Sequence, residues 1–454
     1  MKKIVASVGL VALGASGLQA ASPSPFNSET SKPWSIAATL RGFYDDNFQS
    51  LPDGPLPAGV HRDSFGFEVS PSVIFSWPLE ETTITLSYLY SLKYYEHKPI
   101  GNSDNYDQDH TFNGALDHVF NERYRINVRD SFVIGQEPDI LRAGNTFSTF
   151  QRIPGDNIRN YGSITFEAQL TRQFGLEAGY GNALYDYADK TVTFSPSTTI
   201  PGLFNVSPSR SGVLDRMEHT FHLDGRIQIQ PQTIGIIGYQ FSEIDYTGDQ
   251  PISGTSVNGT TSGIIRNSPV LPTYKSDVRN NRSHYGYLGV DHTFRPDLSG
   301  ALRVGARYND YYNNPFSQDE PSPYVMASLR YTYMPSSYAE AGASYDRTAT
   351  DLFSIKGNSL TTDAQTVSVW GSVNHRITPQ LTGSLTGQFQ DSTYNGGSID
   401  GQSDKFYLLG LQFQYQFNPH FSASAGYNYD LLDSNVKGRD FDRNRVYVGI
   451  TASY

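Results

Sequence analysis

The chain has 454 residues, with 34 Lys and Arg against 45 Asp and Glu, a formal charge of −11, and no cysteine. The absence of thiols excludes disulfides, thiolate metal sites and a lipid-anchored cysteine, and the acidic balance argues against a nucleic-acid partner. A mean hydropathy of −0.45 beside 13% aromatic residues is unusual for soluble domains. It suits strands of which only every second residue faces lipid, with tyrosines gathered at the interfaces.

In chain order, Met1-Lys2-Lys3, the apolar run Ile4 to Leu13 and the small residues around Leu18-Gln19-Ala20 predict a secretory signal peptide over 1–20. Residues 21–33, rich in Ser and Pro, read as a flexible leader, and 34–454 as a transmembrane β-barrel. No later stretch is long and apolar enough for a membrane helix.

Period-2 alternation predicts strands near 34–44, 64–77, 82–95, 107–120, 123–134, 159–171, 174–187, 215–230 and 232–246. It continues at 282–294, 298–311, 324–334, 337–348, 365–377, 380–394, 404–417, 420–431 and 445–454. The expectation is an all-β, antiparallel up-and-down barrel of about 18 strands, with 16 as the other possibility. Short turns near 78–81, 121–122, 172–173, 231, 295–297, 335–336, 378–379 and 418–419 alternate with long loops such as 136–158, 188–213, 247–281 and 349–364. That asymmetry predicts periplasmic turns at one end and extracellular loops at the other.

Prolines recur in the short turns at Pro296, Pro335, Pro379 and Pro419, about 40 residues apart. Proline presets a turn dihedral and cannot donate to a ladder. A similar period occurs in propellers, but a blade holds four short strands where each repeat here holds two long ones. Twelve residues at about 3.3 Å each, tilted near 40°, rise roughly 30 Å, enough for an apolar band of about 25 Å.

His118, His292 and His375 precede the short turns in phase with Phe120, Phe294 and Ile377. They read either as a ring of metal or proton ligands or as residues of an interfacial girdle, and the girdle suits their phase. No histidine spacing fixes a metal and no motif calls for a cofactor. Asp245 to Asp249 offers at most a weak divalent-cation surface. No nucleophile elbow, HExxH or phosphate loop is present, so no catalytic residue is assigned.

The inward phase places Arg41, Arg125, Arg129, Arg226, Arg303, Arg307 and Arg330 opposite the lipid, with Glu68, Glu167, Glu177, Asp224 and Glu340 as acidic counterparts. These are the pore-lining candidates, because charge in a membrane strand is tolerable facing a wet lumen or another charge. Two arrangements fit: opposed basic and acidic walls with a transverse field, or a cross-strand ion-pair lattice bracing the wall.

Val446, Val448, Ile450, Ala452 and Tyr454 form the greasy face of the last strand, and this strand resembles the C-terminal insertion strand of bacterial outer-membrane barrels. The resemblance implies outer-membrane lipid and the barrel-assembly machinery as partners. Gly42-Phe43-Tyr44-Asp45-Asp46-Asn47-Phe48 is similar to the Tyr-Asp-Asp-Asn stretch of the putative β-barrel porin-2 family, and the strand and turn pattern extends that likeness loosely over the mature chain. From the residues alone, the tetrad is a turn-forming acidic cluster at the outer rim. The resemblance implies a porin-like barrel. The long loops, above all 247–281, depart from the pattern.

The expected function is passive diffusion of small hydrophilic solutes, narrowed by an inward loop. The candidates are 136–158, with Ile140, Leu141 and Phe147, and 188–213, with Ile200, Leu203 and Phe204. Such residues could equally cover the mouth or form a surface site. A polysaccharide export conduit, suggested by the family resemblance, and a non-conducting adhesion barrel are the alternatives.

Overall fold

The structure, a computed structural model, describes residues 32–97, 104–136, 155–196, 204–256, 265–266, 273–316, 319 and 321–454. Residues 1–31, which include the expected signal peptide and most of the leader, lie outside them. Among the described residues no helix is long and apolar enough to cross a membrane. The chain is built on strands instead.

Eighteen strands form one antiparallel sheet. They are β1 (Trp34–Asp45), β2 (Ser64–Pro78), β3 (Thr82–Tyr95), β4 (Tyr106–Asn121), β5 (Tyr124–Gly135) and β6 (Asn157–Gln169). There follow β7 (Phe174–Tyr187), β8 (Arg216–Gln230), β9 (Thr233–Tyr246), β10 (Asn281–Arg295), β11 (Leu298–Asp310) and β12 (Pro321–Met334). The ring is completed by β13 (Ser337–Thr348), β14 (Asp363–Arg376), β15 (Leu381–Asn395), β16 (Ser403–Asn418), β17 (Phe421–Ser434) and β18 (Phe441–Ser453). All eighteen expected strands are present, with β18 starting four residues earlier than the alternation suggested.

Each strand pairs with its sequence neighbours, and β1 pairs with both β2 and β18. The closing register sets Ala37 against Ser453, Arg41 against Gly449 and Tyr44 against Val446. Beyond the ladder, Ile36 N donates to Tyr454 O at 3.0 Å and Tyr454 N to Ile36 O at 2.8 Å. None of the eighteen barrel strands is left with an open edge, the condition a sheet must meet in hydrocarbon.

The Tyr44-Asp45-Asp46-Asn47 tetrad clasps the outer end of this seam. Asp45 is fully buried and accepts from Arg443 Nε at 2.9 Å and Arg445 Nε at 2.8 Å. Asp46 takes both the backbone N (2.6 Å) and the side-chain amide (2.7 Å) of Asn444. Asn47 Nδ2 donates to Asp442 O at 2.8 Å and to Leu51 O at 3.0 Å. The cluster does form a turn at the rim, and it also joins the first strand to the last.

Four of the short turns at the other end share one device. Asn121, Thr171, Thr378 and Asn418 each accept, through a side-chain oxygen, from the backbone N–H groups two and three residues on. This local bond substitutes for ladder pairing where the chain reverses. Pro379 and Pro419 directly follow two of these residues, where a fixed φ suits the turn.

The outer surface is apolar through its middle: Leu288 and Val448 are each 65% exposed, and Val446, Ile450 and Tyr454 share that face. Histidines border this band at both ends. Near the loops, Tyr88, Tyr180 and Tyr239 hydrogen-bond His110, His219 and His284 at 2.9, 2.9 and 2.7 Å. Near the turns, Thr82, Thr233 and Tyr333 bond His118, His292 and His375 at 2.7, 2.8 and 3.0 Å. Each of these rings thus has a hydroxyl partner on a nearby strand, as residues of an interfacial girdle do. On β4 and on β10 the upper and lower histidines are eight residues apart (118 − 110 and 292 − 284). That spacing corresponds to a rise of roughly 20 Å, close to the thickness of an outer-membrane apolar band.

Two outcomes follow. Asp45→Ala removes the buried carboxylate that Arg443 and Arg445 share and should lower the unfolding free energy by about 3–5 kcal/mol, measured by guanidinium titration in vesicles. Leu288→Arg, on the lipid face, should cost about 2–4 kcal/mol in the same titration, whereas the lumen-facing Thr386→Arg should change it by less than about 1 kcal/mol.

Candidate functional site

The inward residues of the strands line a lumen, and it is the candidate site. Most of its candidate charges lie on the wall from β4 to β13, and a second group lies near the seam on β1, β2, β17 and β18. Arg226 Nη1 lies 2.8 Å from Glu177 and Arg226 Nη2 3.4 Å from Asp291. Asp291 also holds Arg303 at 2.8 Å, and His222 Nε2 approaches Glu177 at 3.5 Å. Asp224 accepts from the Tyr287 hydroxyl at 2.5 Å. Glycine makes this lattice possible: a Cβ at Gly179 would lie 2.0 Å from the His222 ring, and one at Gly289 would lie 2.4 Å from Arg303 Cδ.

The remaining candidates pair along the ladder. Arg330 meets Glu340, its direct register partner, at 3.2 Å, and Ser372 donates to the same carboxylate at 3.0 Å. Arg129 makes a forked contact to Asp117 at 2.7 and 2.8 Å. Arg125 and Glu167 face each other in register. Arg41 reaches Glu68 at 3.2 Å on the β1–β2 ladder, where Ser70 and Ser91 also donate to Glu68. Guanidinium and carboxylate thus share a wall throughout. Among the described residues these pairs follow the ion-pair lattice of the two arrangements that fit the sequence.

The facing wall is different. On β14 to β17 the phase opposite the lipid-exposed Val369, Leu385, Leu409 and Phe413 presents Trp370, Ser384, Thr386, Gln388, Gln412, Gln414, Ser424 and Asn428. Over its middle this wall carries hydroxyl and amide groups around one indole, with Leu408 and, nearer the loops, Asp430 in the same phase. The Trp370 ring lies over Gly342, where a Cβ would come within 2.6 Å of it.

Toward the loop end the lumen narrows. Ser209 caps a short helix, α1 (Arg210–Leu214), by accepting from Gly212 N at 3.0 Å. Val213 and Leu214 of α1 pack with the inward Tyr161 and Tyr185, with Ile252, and with Leu360 from the loop before β14. Beside this cluster Arg307 meets Asp346 at 3.1 Å and donates to the Arg347 carbonyl. Arg216 holds Glu218 at 2.7 Å and lies over the Tyr185 ring at 3.9 Å. A cavity of about 130 Å³ remains between Arg216, Glu218, Gln240, Tyr285, Arg307 and Asp346.

A strap of loop residues crosses the mouth. Arg279, in a 3-10 turn (Ser276–Arg279) before β10, donates to Val213 O of α1, to Thr350 O at 3.1 Å and to Leu352 O at 3.5 Å. Asp351, between those last two acceptors, pairs with Arg439 at 3.2 Å, and Arg439 with Asp404 at 3.0 Å. The α1 end leads into β8 and Arg439 leads from β17, nine places round an eighteen-strand ring, so the strap joins opposite walls. Burial pushes the Asp351 carboxyl above its usual range, with the Arg439 guanidinium acting against that rise. Burial also lowers the Arg279 guanidinium from its ordinary value.

No local spacing in the sequence marks these strap residues, because each meets its partner from a different connection or strand end far along the chain. Of the two loops expected to constrict the lumen, Ile140, Leu141, Phe147, Ile200 and Leu203 lie outside the described residues. Phe204 begins a short loop strand (Phe204–Ser207), and the end of that loop contributes α1. In the acidic loop stretch, Asp249 pairs with Lys275 at 2.7 Å and Asp245 accepts from Tyr312 at 2.5 Å.

A closed eighteen-strand barrel with an apolar band outside and a polar lumen has the architecture of an outer-membrane β-barrel, since open sheet edges are excluded from lipid. Residues 364–454, from β14 to the end of β18, match the model of the family described as Putative beta-barrel porin 2. No curated protein matches the sequence. Among solved structures, OccAB4 of Acinetobacter baumannii is 12% identical, with 93% of this chain and 99% of that chain covered and a TM-score of 0.41. OpdK of Pseudomonas aeruginosa is 12% identical over the same shares with a TM-score of 0.40. A BenF-like porin from Pseudomonas fluorescens Pf-5 is 10% identical, again over 93% and 99%, with a TM-score of 0.43.

The lattice predicts a two-part effect of Asp291→Asn. Withdrawing the charge shared by Arg226 and Arg303 should lower the unfolding free energy by about 1–3 kcal/mol. The same variant should shift the zero-current potential in a salt gradient toward anion preference, read in a planar bilayer.

Proposed function

We propose that the chain is an outer-membrane channel for passive diffusion of small hydrophilic solutes, acting without catalysis. The observation that carries this reading is the polar lumen, with mutually paired charges on one wall and amides and hydroxyls on the other. An eighteen-strand ring is wide enough to leave an aqueous path unless something fills it. Paired charges contribute little net field, so the lumen favours polar solutes of low net charge. Arg226, Arg303, Arg307 and the other inward charges would line this path.

In the same reading, residues 1–20 direct export, 21–33 form a leader and 34–454 the barrel. The face of Val446, Val448, Ile450, Ala452 and Tyr454 is the surface offered to outer-membrane lipid and the barrel-assembly machinery. A polysaccharide conduit needs an exit wide enough for a polymer. The strap and the α1 cluster occupy that end, which favours small solutes.

Planar-bilayer recording tests the proposal. The purified protein should give stable ion-passing steps with weak ion selectivity, and a barrel that inserts without conducting would sink it. Arg279→Ala removes the donor that ties α1 to the 350–352 segment and should raise the single-channel conductance. An unchanged value would show that the strap is not the constriction.

A further inference from the structure

One cluster at the loop end plays no part in the channel. His61 and Asp63 lead into β2, and His97 follows β3. Their meeting is set by the β2–β3 hairpin, whose register pairs Gly66 with Tyr95. The pairing continues outward: Glu96 N donates to Phe65 O at 2.8 Å and His97 N to Ser64 Oγ at 3.1 Å, which brings His97 beside Asp63.

The His61 and His97 rings stack with centroids 3.8 Å apart and planes 6° from parallel. One nitrogen from each ring and an Asp63 carboxylate oxygen all lie within 4.8 Å of one another. His97 Nδ1 is 2.7 Å from the Asp63 backbone carbonyl. A carbonyl only accepts, so Nδ1 carries the hydrogen, and in the neutral ring Nε2 keeps its lone pair. This is how a metal-bound imidazole is commonly oriented, with its second nitrogen bonded to a carbonyl. The loop is also held in place: the Arg62 guanidinium, between the two other ligands, donates to the carbonyls of Leu51, Pro52 and Gly54 at 2.8, 2.5 and 2.9 Å.

We propose that His61, Asp63 and His97 form a surface site for a divalent first-row transition ion of the Zn²⁺ or Cu²⁺ type. Two imidazoles and one carboxylate suit such an ion, whereas Ca²⁺ and Mg²⁺ take oxygen ligands. Ligands about 2.1 Å from a tetrahedral ion stand roughly 3.4 Å apart, so the cluster closes by side-chain rotation alone. Parallel rings cannot both aim a lone pair at one point, so the exposed His61 turns out of the stack while the bonded His97 stays. Bound metal would tie the first extracellular loop to the outer end of the β2–β3 hairpin.

Zinc chloride titrated into the full-length barrel in detergent micelles, followed by calorimetry, tests this site. The expected result is one equivalent bound, with affinity falling at least about tenfold in both His61→Ala and His97→Ala. Heat-modifiable gel mobility confirms that each variant remains a folded barrel. No zinc uptake by the wild type, or uptake unchanged in either histidine variant, would overturn the proposal.

Discussion

Everything in this molecule depends on closing the sheet. A strand edge in hydrocarbon leaves backbone N–H and C=O groups with no partner, and each such group costs several kcal/mol. The β1–β18 ladder removes that cost over the length of the seam, and the two Ile36–Tyr454 bonds extend it to the terminal residue. At the outer end the ladder alone does not suffice, because side chains there must hold loops as well as strands. The buried Asp45 between Arg443 and Arg445 fulfils both tasks.

Closure in turn separates two solvents. Residues of one phase meet lipid and carry Leu, Val, Ile and aromatic side chains. Residues of the other meet the lumen, where charge is permitted if it is matched. Matching is local: Arg226, Glu177, Asp291 and Arg303 neutralise one another from β7, β8, β10 and β11, across the intervening β9, with glycines admitting the bulky groups. The lumen is therefore polar without being strongly polarised. Its shape is decided at the loop end, where Arg279 and Arg439 use buried carbonyls and carboxylates to fasten loops from opposite walls.

How much of this could be read from the sequence depends on the range of the interaction. Strand positions were legible because the two-residue period is local, and so were the short turns, where Asn121, Thr171, Thr378 and Asn418 bond their own backbone. Some pairings were nearly legible: Arg330 and Glu340 lie symmetrically about the turn at 335, and Ser64 and His97 about the turn near 80. The Asp291 bridge between Arg226 and Arg303 was not, since it depends on β9 lying between β8 and β10 and on the side-chain reach across it. Nor was the seam clasp, whose partners are some 400 positions apart in sequence. The histidine girdle was legible by phase, whereas His61 and His97 showed no spacing that suggested a shared site.

The sequence by itself determined the strands, their inward and outward faces and the end at which the turns lie, because alternation and turn chemistry act between residues a few positions apart. Only the tertiary structure decided which charges neutralise one another, what crosses the mouth and which histidines meet. Those contacts depend on the order and stagger of strands around a closed ring, and no short stretch of chain contains that information.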